Sequence, residues 1–204
     1  MTTRNDKKIA KSDVIHTKPS LAMIGLLILE IIIGYEWLVS GLTKIIRGDF
    51  VSGLADEMAN KLGDVAGWYA GLLNGVVIPN ATFFGYVIEI GEVLVGVALI
   101  VLPLVWLFAW DKLPNRIQST AVFLIAAASI GGIFMAINFH LANGNSHPWL
   151  IPADSFDEGV DFDSLLAILN IVTATVNILF LSRLREASPL TEAIPAQTRQ
   201  AKYS

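Results

Sequence analysis

The sequence predicts an all-α membrane protein: a four-transmembrane-helix bundle with short interfacial helices between the first and second spans. Three observations predict it. Hydrophobic residues make up 54% of the 204 residues and charged residues only 16%, with a mean hydropathy of +0.60, too apolar for a soluble domain. Four apolar runs each approach the roughly 20 residues that cross a hydrocarbon core. Finally, every Lys and Arg except Lys44, Arg47 and Lys61 lies in the N-terminal segment, the 112–116 turn or the C-terminal tail. By the positive-inside rule that pattern places both termini in the cytoplasm of a multi-pass plasma-membrane protein.

Residues 1–20 form a polar cytoplasmic tail with Arg4, Lys7, Lys8, Lys11 and Lys18. The membrane domain spans 21–182. Its first run, 21–43, is too long for a signal-peptide core and lacks a small-residue cleavage site, so it is a retained helix. In the connection 44–82, Val51, Leu54, Met58, Leu62 and Val65 recur at helical spacing, and Trp68, Tyr69, Leu72, Leu73, Val76 and Val77 form a second apolar cluster. One or two short helices along the outer interface follow, with Asp64 as N-cap of the second. They serve either as a cover on the bundle or as a lid over a lateral opening for a lipid-soluble ligand.

The second span is 83–108, with Pro103 near its far end, and the third is 118–142. The fourth, 164–182, carries Asn170, Thr173, Thr175 and Asn177, so it belongs inside the bundle. The connection before it holds Asp154, Asp157, Glu158, Asp161 and Asp163 without any Lys or Arg, which places it outside. Residues 183–204 form a second cytoplasmic tail.

Glu30 and Glu36 lie in the first span, Glu89 and Glu92 in the second. Each ionised carboxylate near the bilayer centre costs about 2.5–3.5 kcal/mol on insertion scales, so these residues require compensation. At 1.5 Å per residue, Glu36, Glu89, Glu92 and Asn170 lie about 9–13 Å in from the outer boundary, and Glu30 lies near mid-bilayer. Lys44 and His140 lie close to the outer boundary, and Asn138 lies a turn deeper than the third span's end. Glu30, Gly34, Trp37, Gly41 and Lys44 share one helix face, while Glu36, Ser40 and Thr43 form the adjacent one. Glu89 and Glu92, three residues apart, are neighbours. Lys44 is the cation placed to hold one of them ionised. The pair is either a structural lock between helices or part of a proton-exchanging pocket for a redox ligand.

Other chemistries find little footing. The absence of cysteine removes disulfide, thiol-exchange and Cys-ligated metal chemistry from this chain. Of the three histidines, His16 falls in the cytoplasmic tail and His147 in an external loop, so bis-histidine haem ligation is not expected. Nor does Glu89-x-x-Glu92 supply the Glu-x-x-His of carboxylate-bridged metal sites. No metal or haem is predicted, and no basic patch with interleaved aromatics points to nucleic acid.

Several segments resemble the DoxX/DoxD membrane family. Residues 34–44 end in Gly41-Leu-Thr-Lys44, similar to the Gly-x-x-Lys close of that family's first helix. Trp68-Tyr69 with Pro79-Asn80 resembles its external segment, Gly91-Glu92 with Gly96 its second-helix signature, and the stretch from Asn138 to Gly144 the end of its third helix. The resemblance implies a four-helix membrane bundle. For the DoxD branch it implies the membrane subunit of a thiosulfate:quinone oxidoreductase, in which two thiosulfates couple to tetrathionate and electrons pass to a membrane quinone. Gly41, Lys44, Gly91, Glu92, Gly96 and Asn138 are the motif matches.

The functional expectation combines both lines. Glu92 with Glu89 exchanges the quinone's protons, and Lys44 fixes a carboxylate or holds an anionic donor at the outer mouth. Asn138 or His140 hydrogen-bonds a quinone carbonyl, with Glu36 and Trp68 completing the quinone site. A second protein subunit supplies the rest of the electron path. The alternative is a non-catalytic membrane anchor or assembly subunit of a larger redox complex. A proton-coupled transporter is a third reading, which the absence of inverted repeats disfavours.

Overall fold

The computed structural model describes residues 20–144 and 160–192, with side chains described to Arg185. Among them the protein is all-α, a four-helix membrane bundle. Helix α1 (Leu21–Arg47) begins at Ser20, whose hydroxyl accepts from Met23 N. It runs a turn beyond Thr43 and stops at Gly48, whose φ of 73° suits a residue without Cβ. Two short helices follow, α2 (Phe50–Lys61) and α3 (Gly67–Leu72). Asp64 does not cap α3, whose N-cap is Ala66; Asp64 lies in the intervening turn, where its N–H bonds Lys61 O.

After α3 the chain passes through a π turn (Leu73–Val77) and a 3₁₀ turn (Ile78–Asn80) directly into α4 (Ala81–Ala109). Pro79 supplies the cause, since it has no N–H to continue an α-helical ladder. Pro103 sits buried within α4. A 3₁₀ turn (Trp110–Lys112) closes that helix, and Gln118 Nε2 donates to the carbonyls of Trp110 and Leu113. Helices α5 (Asn115–Ala142) and α6 (Phe162–Glu192) complete the bundle. His147, expected in an external loop, and the acidic residues 154–158 lie outside the described residues.

Packing divides the bundle into two pairs. Helix α1 lies along α4 and α5 along α6; the α4–α5 contact is looser and the α1–α6 contact slight. Small residues create the first pair. A Cβ on Gly96 would sit 2.5 Å from Leu38 N, and one on Gly34 would sit 2.8 Å from Leu99 Cβ, so only glycine permits this approach. The apolar core of Leu27, Ile33, Trp37, Leu99, Val122 and Ile125 lies between the pairs. A second cluster, including Leu54, Met58, Tyr69 and Leu73, seats α2 and α3 on one end of the bundle.

Candidate functional site

The central feature of the bundle end that α2 and α3 cover is an ion pair between α1 and α4. Lys44 Nζ lies 2.8 Å from Glu92 Oε1 and 2.7 Å from Oε2, and it also donates to Ser40 Oγ at 2.8 Å. Glu92 is fully buried and Lys44 largely so. Local sequence creates the fit. Gly41, one turn before Lys44, has no side chain, and a Cβ there would lie 2.9 Å from Glu92 Cβ. The ammonium lies 5.3 Å from the ring centre of Phe50 on α2 and 5.8 Å from that of Phe139 on α5. Both aromatic faces favour a cation. One lysine thus ties α1 to α4 and touches the cover and the third span.

Around this pair the residues expected from sequence separate. Glu89 is buried one turn from Glu92 and makes no hydrogen bond among the described residues. Glu36 is half-buried on the adjacent face of α1, and no recorded contact joins it to Lys44 or Glu92. Asn138 is committed: its Nδ2 donates to Phe134 O at 2.7 Å, while its own Oδ1 and backbone O accept from Tyr69 OH. Trp68 is 67% exposed and meets the neighbouring Tyr69 edge-on.

His140 belongs to a separate cluster where α5 ends and α6 begins. Its Nδ1 lies 3.0 Å from Asp161 Oδ2 and 3.1 Å from Ser164 Oγ. Ser164 in turn donates to Asp161 from its hydroxyl at 2.6 Å and from its backbone N–H at 3.0 Å. Asp161 therefore caps α6 with the chemistry favoured at helix N-termini. Burial raises the Asp161 pKa, but the two Ser164 hydrogen bonds and then His140 outweigh it, leaving the carboxyl below its ordinary value. A polar chain clips the cover nearby: Glu57 pairs with Lys61, which donates to Asn143, which donates to Asp163.

Sequence reasoning placed Trp37 on the Glu30–Lys44 face without giving it a role. Its indole is 1% exposed, its ring lies 6.3 Å from Phe139, and its Nε1 has no hydrogen-bond partner among the described residues. The signal was available: a tryptophan in mid-span, away from the interfaces where its N–H is normally solvated. Glu30, expected to lie too deep for the outer cluster, accepts a hydrogen bond from Asn177 Nδ2 of α6 at 2.6 Å. No protein-family model, curated protein or solved structure matches the chain.

Proposed function

We propose that the chain is the membrane subunit of a quinone-linked oxidoreductase, with thiosulfate the donor that the DoxX/DoxD-like motifs indicate. It works in the plasma membrane with both termini in the cytoplasm. Oxidation of two thiosulfates to tetrathionate releases two electrons, and reduction of a quinone to its quinol consumes two electrons and two protons. This chain supplies the quinone site. A cysteine-free chain has no thiolate with which to carry the electrons, so a second subunit delivers them.

The observation that carries the reading is the buried Trp37 N–H. A donor left without a partner costs about 1–3 kcal/mol, and a quinone carbonyl is an acceptor able to satisfy it. The surroundings suit such a ring: Phe139 lies on one side, and one helical turn or two further out are Ser40, Lys44 and the Glu92 carboxylate. Glu89 and Glu92 are the proton-bearing groups, and Lys44 sets the charge between them. Trp37 takes over the carbonyl-binding role expected of Asn138, whose amide is occupied within the protein.

The test compares purified wild type with Trp37→Phe, Glu92→Gln and Lys44→Ala for quinone binding and thiosulfate-dependent quinone reduction. Loss of one hydrogen bond in Trp37→Phe weakens quinone binding about two- to tenfold. Unchanged binding and turnover in all three, with normal folding, refutes the site. One observation favours a second reading, the non-catalytic anchor: Lys44 is already saturated by Ser40 and both oxygens of Glu92, as a lock between helices requires. An anchor elutes from detergent with a stoichiometric partner and without quinone.

A further inference from the structure

The Lys44–Glu92 pair is neutral as a unit, but Glu30 has no such compensation. Its side chain is fully buried. One oxygen accepts from Asn177, and Oε2 has no partner among the described residues. Both hydrogens of the Asn177 amide are used, one on Glu30 and one on Thr173 O at 2.9 Å. The amide is therefore fixed as a neutral donor and brings no positive charge.

The elements packed here bring none either. On α1 the nearest charged groups are Glu36 and Lys44, the latter bound to Glu92. Helix α4 offers only Glu89 and Glu92, both toward the outer half. Helix α5 has no charged residue between Arg116 and His140, and α6 has none between Asp163 and Arg183. Arg183 lies six residues beyond Asn177, about 9 Å along the axis. A lone ionised carboxylate is among the costliest groups to place at this depth.

Two more oxygens point to what compensates it. Thr173 Oγ1 and Asn170 Oδ1 are fully buried and without hydrogen-bond partners among the described residues. Thr173 is one turn from Asn177 on the same face of α6, and Asn170 one turn beyond that. A buried helical threonine can return its hydroxyl to a carbonyl one turn back; Thr173 Oγ1 makes no such bond. Carboxylate, hydroxyl and amide oxygens are the ligands hard cations take. Glu30 and Asn177 meet across the loose contact between α1 and α6, while Asn170 Oδ1 faces Gly132 of α5.

We propose that Glu30, with Thr173 and the Asn177 amide that orients it, forms a mid-membrane binding site for one monovalent cation, a proton or Na⁺. This assignment does not depend on the quinone reading. A single negative charge selects a single positive one, and a divalent ion would leave a net charge in hydrocarbon. The site gives the bundle a cation-exchanging carboxyl well inside the outer cluster.

Carbodiimides attack only protonated carboxyls and favour those in apolar surroundings, so they report occupancy of Glu30. The purified wild-type protein is treated with a fluorescent carbodiimide across a range of pH, in choline chloride and in NaCl, and labelled residues are mapped by mass spectrometry. Labelling at Glu30 is expected, declining about tenfold per pH unit above its midpoint as for one titrating proton. Slower labelling in NaCl than in choline chloride identifies Na⁺ as the occupant; equal rates identify the proton. Thr173→Val, which keeps shape and removes the oxygen, shifts the midpoint or weakens Na⁺ protection. Absence of label at Glu30 at every pH, labelling indifferent to both pH and Na⁺, or a Thr173→Val profile identical to wild type overturns the proposal.

Discussion

Lys44 has three ammonium hydrogens and three oxygens to receive them, two on Glu92 and one on Ser40. Removing it strands a fully buried carboxylate. Lys44→Met is therefore expected to destabilise the protein by about 3–5 kcal/mol, and Lys44→Met/Glu92→Leu, which removes both charges, recovers most of the loss. Unfolding in detergent followed by circular dichroism measures both. A double variant as unstable as the single one refutes the lock. This pairing was legible in sequence because Lys44 is the cation nearest the first apolar run at the expected outer end and Glu92 lies at similar expected depth. The Glu30–Asn177 bond was not. Its partners are 147 residues apart, and an asparagine in a polar-flecked span has no charge to nominate it.

Asp161 yields a prediction of opposite pH sense to a histidine latch. Its folded pKa lies below the unfolded value, so its stabilising contribution is complete above the ordinary aspartate range. That contribution is lost as pH falls through the depressed folded value. Asp161→Asn keeps a capping side chain but removes the titration. Its thermal midpoint should match wild type more closely at acid pH than at neutral pH. A constant gap across pH counts against Asp161 as the titrating cap.

At the scale of elements, close approach decides what each helix tolerates. The α1–α4 contact depends on glycine at three levels, with Gly34 against Leu99, Leu38 against Gly96, and Gly41 against Glu92. Gly96→Ala drives a methyl into the backbone of Leu38, so the helices must separate at a cost of about 1–3 kcal/mol. Gly25→Ala, with nothing within 4 Å of the new methyl, gains up to about 1 kcal/mol of helix propensity. Thermal melts of the two variants should therefore move in opposite directions, and a shared direction undermines the close-packing account. Glycines at 34, 41 and 96 were visible in sequence, but which residues they faced was not, because helical phase alone leaves register open. The two short cover helices were legible from periodicity. Their polar clip through Asn143 to Asp163 was not, since it joins three elements distant in sequence.

At the scale of the molecule, two tight helix pairs meet along a looser seam, and Glu30 of α1 and Asn177 of α6 bond across it, leaving Glu30 Oε2 unpartnered among the described residues. Hydropathy made the class of fold legible, since length and apolarity suffice to identify a membrane helix. Division into pairs depends on side-chain volume at contacts and was beyond periodicity. Orientation follows from charge asymmetry, and the chain provides its own means of testing it. With no native cysteine, any introduced thiol is unique. Asn60 on the cover helix α2 and Asn115 at the start of α5 are both exposed and lie at opposite ends of the bundle. The positive-inside rule predicts that the basic 112–116 turn faces the cytoplasm. In intact cells an impermeant thiol reagent should label Asn60→Cys, while Asn115→Cys should react only after the membrane is permeabilised. The reverse pattern would invert the protein, placing the cover and the Lys44–Glu92 pair at the cytoplasmic face and overturning an outward-facing quinone site.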